Sequence, residues 1–411
     1  MRVVVVGGGI AGLATAIALG RTGAEVDVLE RADAFTEIGA GMQLAANGFR
    51  ALDVLGVAQE VIDRAVPVRH LAVRDGATGE PLVTLTTGED YRAAFGYPYL
   101  VVHRRDLHGA LYDAARRLPG VRLHASRQVA GFDDGADGVT VRTTDGQAVT
   151  GEVLVGADGI RSTIRAQAIG DGPPPPVGHT IYRSVIDLAD APSRIRAEYA
   201  DLQAGIPVTL WAGTDWHLVN YPIAGGRQLN IAISHADGDT SLAAGALVDP
   251  ARVHAVPGDA DTRVTALLAS GGEWRRWTLV ERPPIPVWSH GRAVLVGDAA
   301  HPMLQYAAQG AGMALEDAVM LARSLAGPGS VPDQLEAFTV SRSPRTAAVR
   351  ELAVELGRQV YHTEALPLAE RNRWLTGHSD SEVRELARWL HGSTTFTETP
   401  AGVRVPAEAL R

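Results

Sequence analysis

Cysteine is absent from the 411 residues of this chain. That absence excludes disulfides, thiolate metal sites and redox-active cysteine pairs. The chain also lacks any long run of Lys or Arg, and its formal net charge is −9, which argues against nucleic acid as its main partner. It contains no metal-ligand spacing such as HExxH, so we predict no metal site.

Long apolar runs are lacking as well, because no stretch is long and hydrophobic enough to predict a membrane span. Residues 1–20 have the composition of a secretory leader, but three consecutive glycines interrupt the apolar run and a second strand pattern follows. We therefore expect a cytoplasmic protein without a membrane partner. A chain of this length is too long for one ordinary core, which favours two interleaved domains.

The first glycine segment lies between a predicted strand and a predicted helix. Residues 3–6 form an all-apolar run, typical of a parallel strand that is buried on both faces. The following GGGIAG fits G-x-G-x-x-G, in which Gly7 makes the turn, Gly9 admits a pyrophosphate and Gly12 lets helix and strand pack closely. Glu30 ends the next strand 18 residues beyond Gly12, where an acid can bind a ribose diol. The pattern predicts dinucleotide binding but does not distinguish FAD from NAD.

Two later strands also end near a glycine–aspartate pair. The apolar strand at 293–296 is followed by Asp298, and Gly310 and Gly312 open a helix at about Met313. Ligands bind at this edge of a sheet, and a helix start points N–H groups at them, so we predict a cofactor contact; an ordinary strand–loop–helix turn is the alternative. In GADGIRS, Asp158 either caps the following turn or touches the cofactor.

Two further segments carry candidate ligand contacts. The glycine-rich loop at 36–50 could bring Gly39, Gly41 and Gln43 close to a ligand, or it could be a plain surface loop. Arg104, at the start of a predicted helix, could reach a phosphate or be an ordinary solvated arginine.

The region 178–284 is predicted to consist mainly of strands. Within it, the alternation of WHLVNYP places His217, Val219 and Tyr221 on one face. Such a face suits a phenolic or acidic ligand, although a single histidine on a strand is more often structural.

Three segments together resemble the signature of the single-component (group A) flavoprotein aromatic monooxygenases. They are GGGIAG with Glu30, GADGIRS and GDAAHP, in this order and at these separations. The resemblance implies an α/β fold: a Rossmann-like FAD-binding domain of the p-hydroxybenzoate hydroxylase type, an interleaved β-sheet substrate domain and C-terminal helices. It also implies one FAD, and NADH (or NADPH) as a co-substrate without a Rossmann domain of its own. The expected division is 1–67, 103–175 and 285–345 for FAD, 68–102 and 176–284 for the substrate, and 346–411 for the C-terminal helices.

The cofactor contacts implied by the resemblance extend beyond the glycines. The first segment would hold the ADP part, Asp158 would help both cofactors, Asp298 would hold the ribityl chain and Arg104 would lie near the pyrophosphate. The full set is Gly7, Gly9, Ile10, Ala11, Gly12, Glu30, Arg31, Gly41, Gln43, Arg104, Val129, Asp158, Asp298, Gly310, Ala311, Gly312 and Met313.

A narrower resemblance is to the 3-hydroxybenzoate 6-hydroxylase branch of that family. Gln305 replaces the second proline of the usual HPxxP, and YRSVID, WHLVNYP and EWRRW are similar to that branch. The resemblance implies that His217 and Gln305 activate the substrate phenol and that Tyr221 lies in the pocket. Gly312 departs from the larger residue of that branch, which leaves the ring shape open.

The implied activity is NADH-dependent insertion of one oxygen atom of O₂ into a phenolic acid through a flavin C4a-hydroperoxide. The expected reaction converts 3-hydroxybenzoate to 2,5-dihydroxybenzoate (gentisate), with His217 as the proton acceptor. A salicylate-type or natural-product tailoring hydroxylase is the first alternative. A flavin-dependent reductase without oxygen chemistry and a flavin-binding scaffold without turnover are the others. The resemblance also allows a homodimer.

Overall fold

The structure, a computed structural model, describes residues 1–36, 39–202, 205–363 and 366–397. The end of the predicted C-terminal helical region, 398–411, lies outside these residues. The strands are β1 (Arg2–Val6), β2 (Glu25–Leu29), β3 (Gly41–Leu44), β4 (Val66–Asp75), β5 (Pro81–Thr86), β6 (Leu100–His103), β7 (Val121–His124), β8 (Val129–Asp134), β9 (Val139–Thr143), β10 (Ala148–Gly151), β11 (Val153–Gly156), β12 (Pro176–Asp187), β13 (Ile206–Ala212), β14 (Trp216–Ile223), β15 (Gln228–His235), β16 (Ala244–Val248), β17 (Trp274–Val280), β18 (Ser289–His290) and β19 (Ala293–Leu295).

The helices of the same part of the chain include one long helix near the C-terminus, which a π-helical turn at Leu356–Tyr361 continues. None of the helices within the described ranges is both long and apolar enough to cross a membrane. They are α1 (Ile10–Arg21), α2 (Ala46–Val54), α3 (Ala58–Ile62), α4 (Glu89–Phe95), α5 (Arg104–Arg116), α6 (Thr163–Ala168), α7 (Ser193–Glu198), α8 (Pro250–His254), α9 (Thr262–Ser270), α10 (Gly310–Leu325), α11 (Val331–Glu355), α12 (Leu368–Thr376), α13 (Asp380–Leu386) and α14 (Arg388–His391).

A six-stranded sheet has the order β18-β19-β11-β1-β2-β7 among the described residues. β1 pairs in parallel with β2 and β11, and its residues 3–5 are fully buried, as expected for an apolar strand covered on both faces. The helices α1, α5 and α10 pack beside this sheet. Parallel pairing brings the carboxyl ends of β1, β11 and β19 to one edge, so the glycine segments that follow them meet there, and Glu30 after β2 lies at the same edge.

A ten-stranded sheet follows the order β16-β17-β12-β15-β14-β13-β4-β6-β3, with β5 paired to β4. Its pairs are antiparallel, apart from β13 with β4. One face packs on a second core that includes Trp211, Ile231 and Trp274. β3, which the sequence assigned to the FAD part, pairs with β6 in this sheet, and the division of the chain between cofactor and substrate remains a prediction.

A buried ionic cluster joins α10 to α11. The side chains of Glu316 and Asp317 on α10, and of Arg342 on α11, have no exposed surface. Arg342 donates to Glu316 at 2.7 Å and to Asp317 at 2.8 Å, while Arg345 donates to Glu316 at 2.8 Å. Such a cluster is costly to break, because the remaining charges would be buried without partners. It fixes the C-terminal helices against the helix that begins at the ligand edge of the six-stranded sheet.

Candidate active site

A cavity of about 1000 Å³ connects the ligand edge of the six-stranded sheet with one face of the ten-stranded sheet. Its wall includes the glycine segment after β1, the loop before α10, residues of β14 and β15, and the apolar side of the C-terminal helices. A volume of this size accommodates an extended ligand with a smaller molecule beside it.

The glycine segment makes a cradle that larger residues would fill. Gly7 has φ of +107°, and a Cβ atom there would collide with the backbone of Ala157 at the end of β11. A Cβ atom on Gly12 would strike the carbonyl oxygen of Gly7, so Gly12 permits close packing of α1 on β1, as its position in the motif predicts. Gly9 precedes the first turn of α1, whose residues Ile10 and Ala11 line the cavity. The N–H groups of a first helical turn have no intrahelical partner and attract an anion.

Glu30 lies at the end of β2 beside this cradle. Its Oε2 atom accepts from the N–H of Gly8 at 2.7 Å, and its Oε1 atom accepts from Ala32 at 2.8 Å. Arg31 and Val129 also line the cavity. A carboxylate held in this way at the strand end has the placement that a ribose diol requires.

Three other predicted contacts lie along the same wall. Arg104 at the start of α5 lines the cavity, as do Gly41 and Gln43 of β3. The N–H of Gly41 donates to Asn230 at 3.1 Å, which ties this strand to β15. Gln43 accepts from the hydroxyl of Tyr99 at 2.8 Å.

His108 was not among the predicted contacts. Its Nε2 atom lies 2.8 Å from the carbonyl oxygen of Gly8, and the ring is buried against the cavity. The sequence did contain an indication of this contact, because His108 follows Arg104 by four residues and therefore shares its helix face.

Asp158 caps the turn that follows it, which is one of the two roles that the sequence left open, and its contact with a cofactor stays a prediction. Its carboxylate accepts from the hydroxyl of Ser162 and from the N–H of Thr163 at 2.7 Å, which caps the turn into α6. The same residue lines the cavity. Burial raises the pKa of Asp158 above its ordinary value, although the hydrogen bonds oppose this rise.

The loop between β19 and α10 forms the opposite wall. Gly297 has φ of +58°, and the next residue, Asp298, lines the cavity with an exposed side chain. The helix starts at Gly310 rather than at about Met313, so its first turn presents Gly310 and Ala311 to the cavity.

Gly312 and Met313, which were also predicted to hold the cofactor, are buried in α10, and their role stays a prediction. A Cβ atom on Gly312 would lie 3.2 Å from the amide nitrogen of Asn47 on α2, and Met313 is buried with Val349 and Leu390.

The strand face of β14 carries the residues predicted to meet the substrate. His217, Val219 and Tyr221 all line the cavity, whereas Leu218 between them belongs to the opposite core. Burial lowers the pKa of His217 well below its ordinary value, and the neighbouring rings of His362 and His179 lower it further. The imidazole is therefore neutral at physiological pH.

Gln305 sits in a short 3₁₀ turn after the GDAAHP loop. Its amide nitrogen donates to the hydroxyl of Ser234 at 2.9 Å, and its oxygen accepts from Arg183 at 3.2 Å. Tyr221 packs next to Gly41, where a Cβ atom would meet its ring, and burial raises the pKa of Tyr221. His217, Gln305 and Tyr221 thus share one wall, with a neutral base, an oriented amide and a neutral phenol.

His362 and Arg183 are site residues that the sequence did not reveal. Nδ1 of His217 lies 3.0 Å from Nε2 of His362, which follows the π-helical turn. Arg183 stands in YRSVID, which was noted only as a resemblance, and no local pattern marks His362, because it meets His217 through long-range packing.

The residues present fit FAD. Three features match the dinucleotide part of that cofactor: a glycine position that has no room for a Cβ atom, a carboxylate at the strand end and a helix start. The continuation of the cavity to a second wall matches the flavin part.

Comparisons with known proteins agree with this geometry. Residues 1–174 and 260–353 match the family described as the FAD binding domain. The chain is 40% identical over 396 residues to the 3-hydroxybenzoate 6-hydroxylase of Klebsiella oxytoca, and the aligned region covers 95% of this chain and 96% of the relative. It is 37% identical over 394 residues to 3-hydroxybenzoate 6-hydroxylase 1 of Aquipseudomonas alcaligenes, and the aligned region covers 96% of this chain and 98% of that relative.

The fold is similar to the crystal structure of Klebsiella pneumoniae HpxO complexed with FAD and uric acid. The TM-score is 0.80 at 24% identity, with 97% of each chain covered. This likeness confirms the predicted p-hydroxybenzoate hydroxylase type of fold. With the family match and the two relatives, it shows that the chain belongs to the FAD-dependent aromatic monooxygenases, the flavoproteins that its three glycine segments predict.

Proposed function

We propose that this enzyme hydroxylates 3-hydroxybenzoate to 2,5-dihydroxybenzoate, with NADH and O₂ as co-substrates. The observation that carries the proposal is the neutral imidazole of His217 in the cavity wall, beside Gln305 and Tyr221. The names of the two relatives at 37% and 40% identity support the choice of substrate. NADH rather than NADPH rests on the family resemblance of the sequence motifs alone.

His217 would accept the proton of the substrate phenol. Hydroxylation by an electrophilic oxygen needs an electron-rich ring, and a phenolate is more electron-rich than a phenol and directs attack to the positions ortho and para to its oxygen. Because Nδ1 of His217 faces His362, Nε2 is the atom that would take the proton. A base with a lowered pKa stays unprotonated at neutral pH and remains ready to act.

Gln305 would hold the phenolate oxygen without adding charge. One amide hydrogen already donates to Ser234, and the second is available to a ligand. Tyr221 stays protonated, since burial raises its pKa, and so it can donate a hydrogen bond from the same wall.

Glu30, Arg104 and Asp298 would hold the cofactor at its ribose, pyrophosphate and ribityl parts respectively. Bound FAD supplies electron transfer from NADH and the activation of O₂. The chain contributes binding, orientation and the exclusion of water, and a cavity shielded by apolar side chains limits NADH oxidation without hydroxylation.

A screen of aromatic acids tests this proposal. Purified holoenzyme is mixed with NADH and each monohydroxybenzoate, and NADH loss, oxygen uptake and the mass and NMR spectrum of the product are recorded. We expect 3-hydroxybenzoate to give the highest rate and 2,5-dihydroxybenzoate as product.

Other outcomes of the same screen identify the alternatives. A product from 2-hydroxybenzoate alone would indicate a salicylate-type enzyme. Turnover of none of these acids, but of a larger phenolic acid, would indicate a tailoring enzyme. NADH loss without oxygen uptake would indicate a reductase.

A further inference from the structure

Arg183 lies on the cavity face of the ten-stranded sheet. In the register of β12 and β15 it stands opposite Ala232, which in turn stands opposite Val219 of β14. Residues opposite one another across a sheet share a face, and all three line the cavity. The arginine therefore belongs to the same wall as His217, two strands further along the sheet.

No carboxylate within the described residues forms an ion pair with this guanidinium. Its contacts are the oxygen of Gln305 at 3.2 Å and the ring of Trp277, whose centroid lies 5.7 Å from the guanidinium carbon. Its Nε atom is shut off from solvent and has no hydrogen-bond partner in the part of the chain described. Burial lowers the pKa of Arg183, and the charge of Arg104 acts in the same direction.

A half-buried cation with an unpartnered, solvent-shielded Nε atom in a cavity wall points to an anionic ligand. Taking a charge out of water is costly unless a counter-charge and hydrogen bonds compensate. An amide and an aromatic ring compensate a guanidinium only in part. The fork of N–H donors matches the two oxygens of a carboxylate, which is the anion that an aromatic acid would bring into the cavity.

We propose that Arg183 is the anchor for the carboxylate of the aromatic acid, so that the enzyme selects acids over neutral phenols. This inference rests on the proposed function and names the group that recognises its substrate. β12 and β14 are separated by two strand spacings, roughly 10 Å between backbones. An arginine and a histidine that extend from these strands leave room for one aromatic ring, with its carboxylate towards Arg183 and its hydroxyl towards His217.

Gln305 connects the two ends of this arrangement. Its oxygen accepts from Arg183, while its amide nitrogen lies on the side of Ser234, which stands opposite His217 in the register of β14 and β15. Binding of the carboxylate would orient the amide that meets the phenolate. Acid recognition and phenol activation would then be coupled through one side chain.

The test compares an acid with its neutral isostere. Dissociation constants of 3-hydroxybenzoate and 3-hydroxybenzamide are measured from the change in flavin absorbance of the holoenzyme without NADH, for wild type, Arg183→Met and Arg183→Lys. In the wild type we expect the acid to bind at least about tenfold more tightly than the amide. Arg183→Met should lose about 10- to 100-fold in acid affinity and leave amide affinity within about twofold. Arg183→Lys should lie between them, since it keeps the charge without the fork.

Arg275→Met is the matched control. Arg275 stands opposite Arg183 in the neighbouring strand β17, but it pairs with Glu273 at 2.7 Å outside the cavity. The Arg275→Met substitution removes the same charge from the same sheet and should leave both dissociation constants within about twofold of wild type. Flavin content and melting temperature show whether each variant is folded and loaded.

The outcomes separate this inference from the proposed function. If the wild type binds acids and Arg183→Met binds them equally well, then Arg183 is not the carboxylate anchor, whereas the proposed hydroxylase function is unaffected. Loss of flavin in Arg183→Met, with acid affinity kept after reconstitution with FAD, would also overturn it and would assign the arginine to the cofactor. If the wild type binds other hydroxybenzoates but not 3-hydroxybenzoate, the proposed substrate fails, and the comparison is repeated with the acid that binds and its amide. A wild type that binds no aromatic acid overturns both.

Discussion

His217 and His362 form a direct pair in which Nδ1 of the first lies 3.0 Å from Nε2 of the second. His217 is on β14, whereas His362 follows the π-helical turn, and its own N–H donates to Gly357 at 2.9 Å. Burial lowers the pKa of both rings, that of His362 to about 3. Both are neutral at pH 7, so one ring donates to the other, and this fixes which nitrogen of His217 faces the cavity.

Replacement of His217 by Ala should uncouple NADH oxidation from hydroxylation, because the phenol would lose its proton acceptor. General-base catalysis contributes about 10²–10⁴-fold, and the hydroxylation rate should fall within that range. The measurement is product formed per NADH consumed, by chromatography. His290→Ala, which removes an exposed histidine on β18, is the control. An unchanged yield in His217→Ala would remove this imidazole from the mechanism.

His362 should act through His217 rather than on the substrate. His362→Leu removes the acceptor for Nδ1 of His217, and the loss of one such hydrogen bond should lower kcat about tenfold with little change in KM. His362→Gln keeps an acceptor and should restore most of the rate. If Leu and Gln variants lose equal activity, or if only KM changes, then His362 has a packing role alone.

The stability of the fold should decrease in mild acid because of three buried histidines. Burial lowers the pKa of His217 well below its ordinary value and those of His362 and His391 to about 3. Below about pH 6.5 the unfolded chain binds protons at these rings and the folded chain does not, so the free energy of unfolding falls with pH. Each ring contributes up to about 1.4 kcal/mol per pH unit.

Thermal or urea unfolding between about pH 7 and pH 5 measures this dependence. His391, whose Nδ1 lies 3.0 Å from the hydroxyl of Tyr91, has no assigned part in the proposed chemistry and provides a separate check. His391→Gln should make the slope of stability against pH shallower by up to about 1.4 kcal/mol per pH unit, the most that one ring contributes. A melting temperature that does not change over this range would contradict the buried, neutral state of the histidines.

The glycine segments could be predicted from the sequence because each is local. A strand, a turn that requires Gly7 and a helix follow one another within a few residues, and Glu30 needs only the next strand to be parallel. The strand face of His217 and Tyr221 was equally readable, since alternation depends on one strand alone.

The partners of those residues could not be predicted in the same way. His362 is 145 residues from His217 in the chain and Arg183 is 122 from Gln305, and nothing local indicates which distant side chain packs against which. The start of α10 was misplaced by three residues. A shift of that size lies within the usual uncertainty of helix ends.

Asp298→Ala should yield protein that purifies without flavin. The carboxylate lies exposed in the cavity wall after β19, where the proposed ribityl contact requires an acceptor for hydroxyl groups. The ratio of flavin absorbance to protein absorbance after purification measures occupancy, and circular dichroism shows whether the chain is folded. Asp259→Ala, an exposed aspartate outside this cavity, should stay yellow. A yellow Asp298→Ala protein would contradict the proposed role.

Arg342→Met should destabilise the enzyme more than most single substitutions. Arg342 is fully buried and donates to both Glu316 and Asp317, so its loss leaves two carboxylates short of a counter-charge. Breaking a buried ion pair in this way costs about 3–5 kcal/mol, which urea unfolding at pH 7 can resolve. Arg323→Met on the exposed side of α10 removes the same charge and should change stability by less than about 1 kcal/mol. Equal effects of the two substitutions would mean that the cluster does not hold α10 against α11 and that only net charge matters.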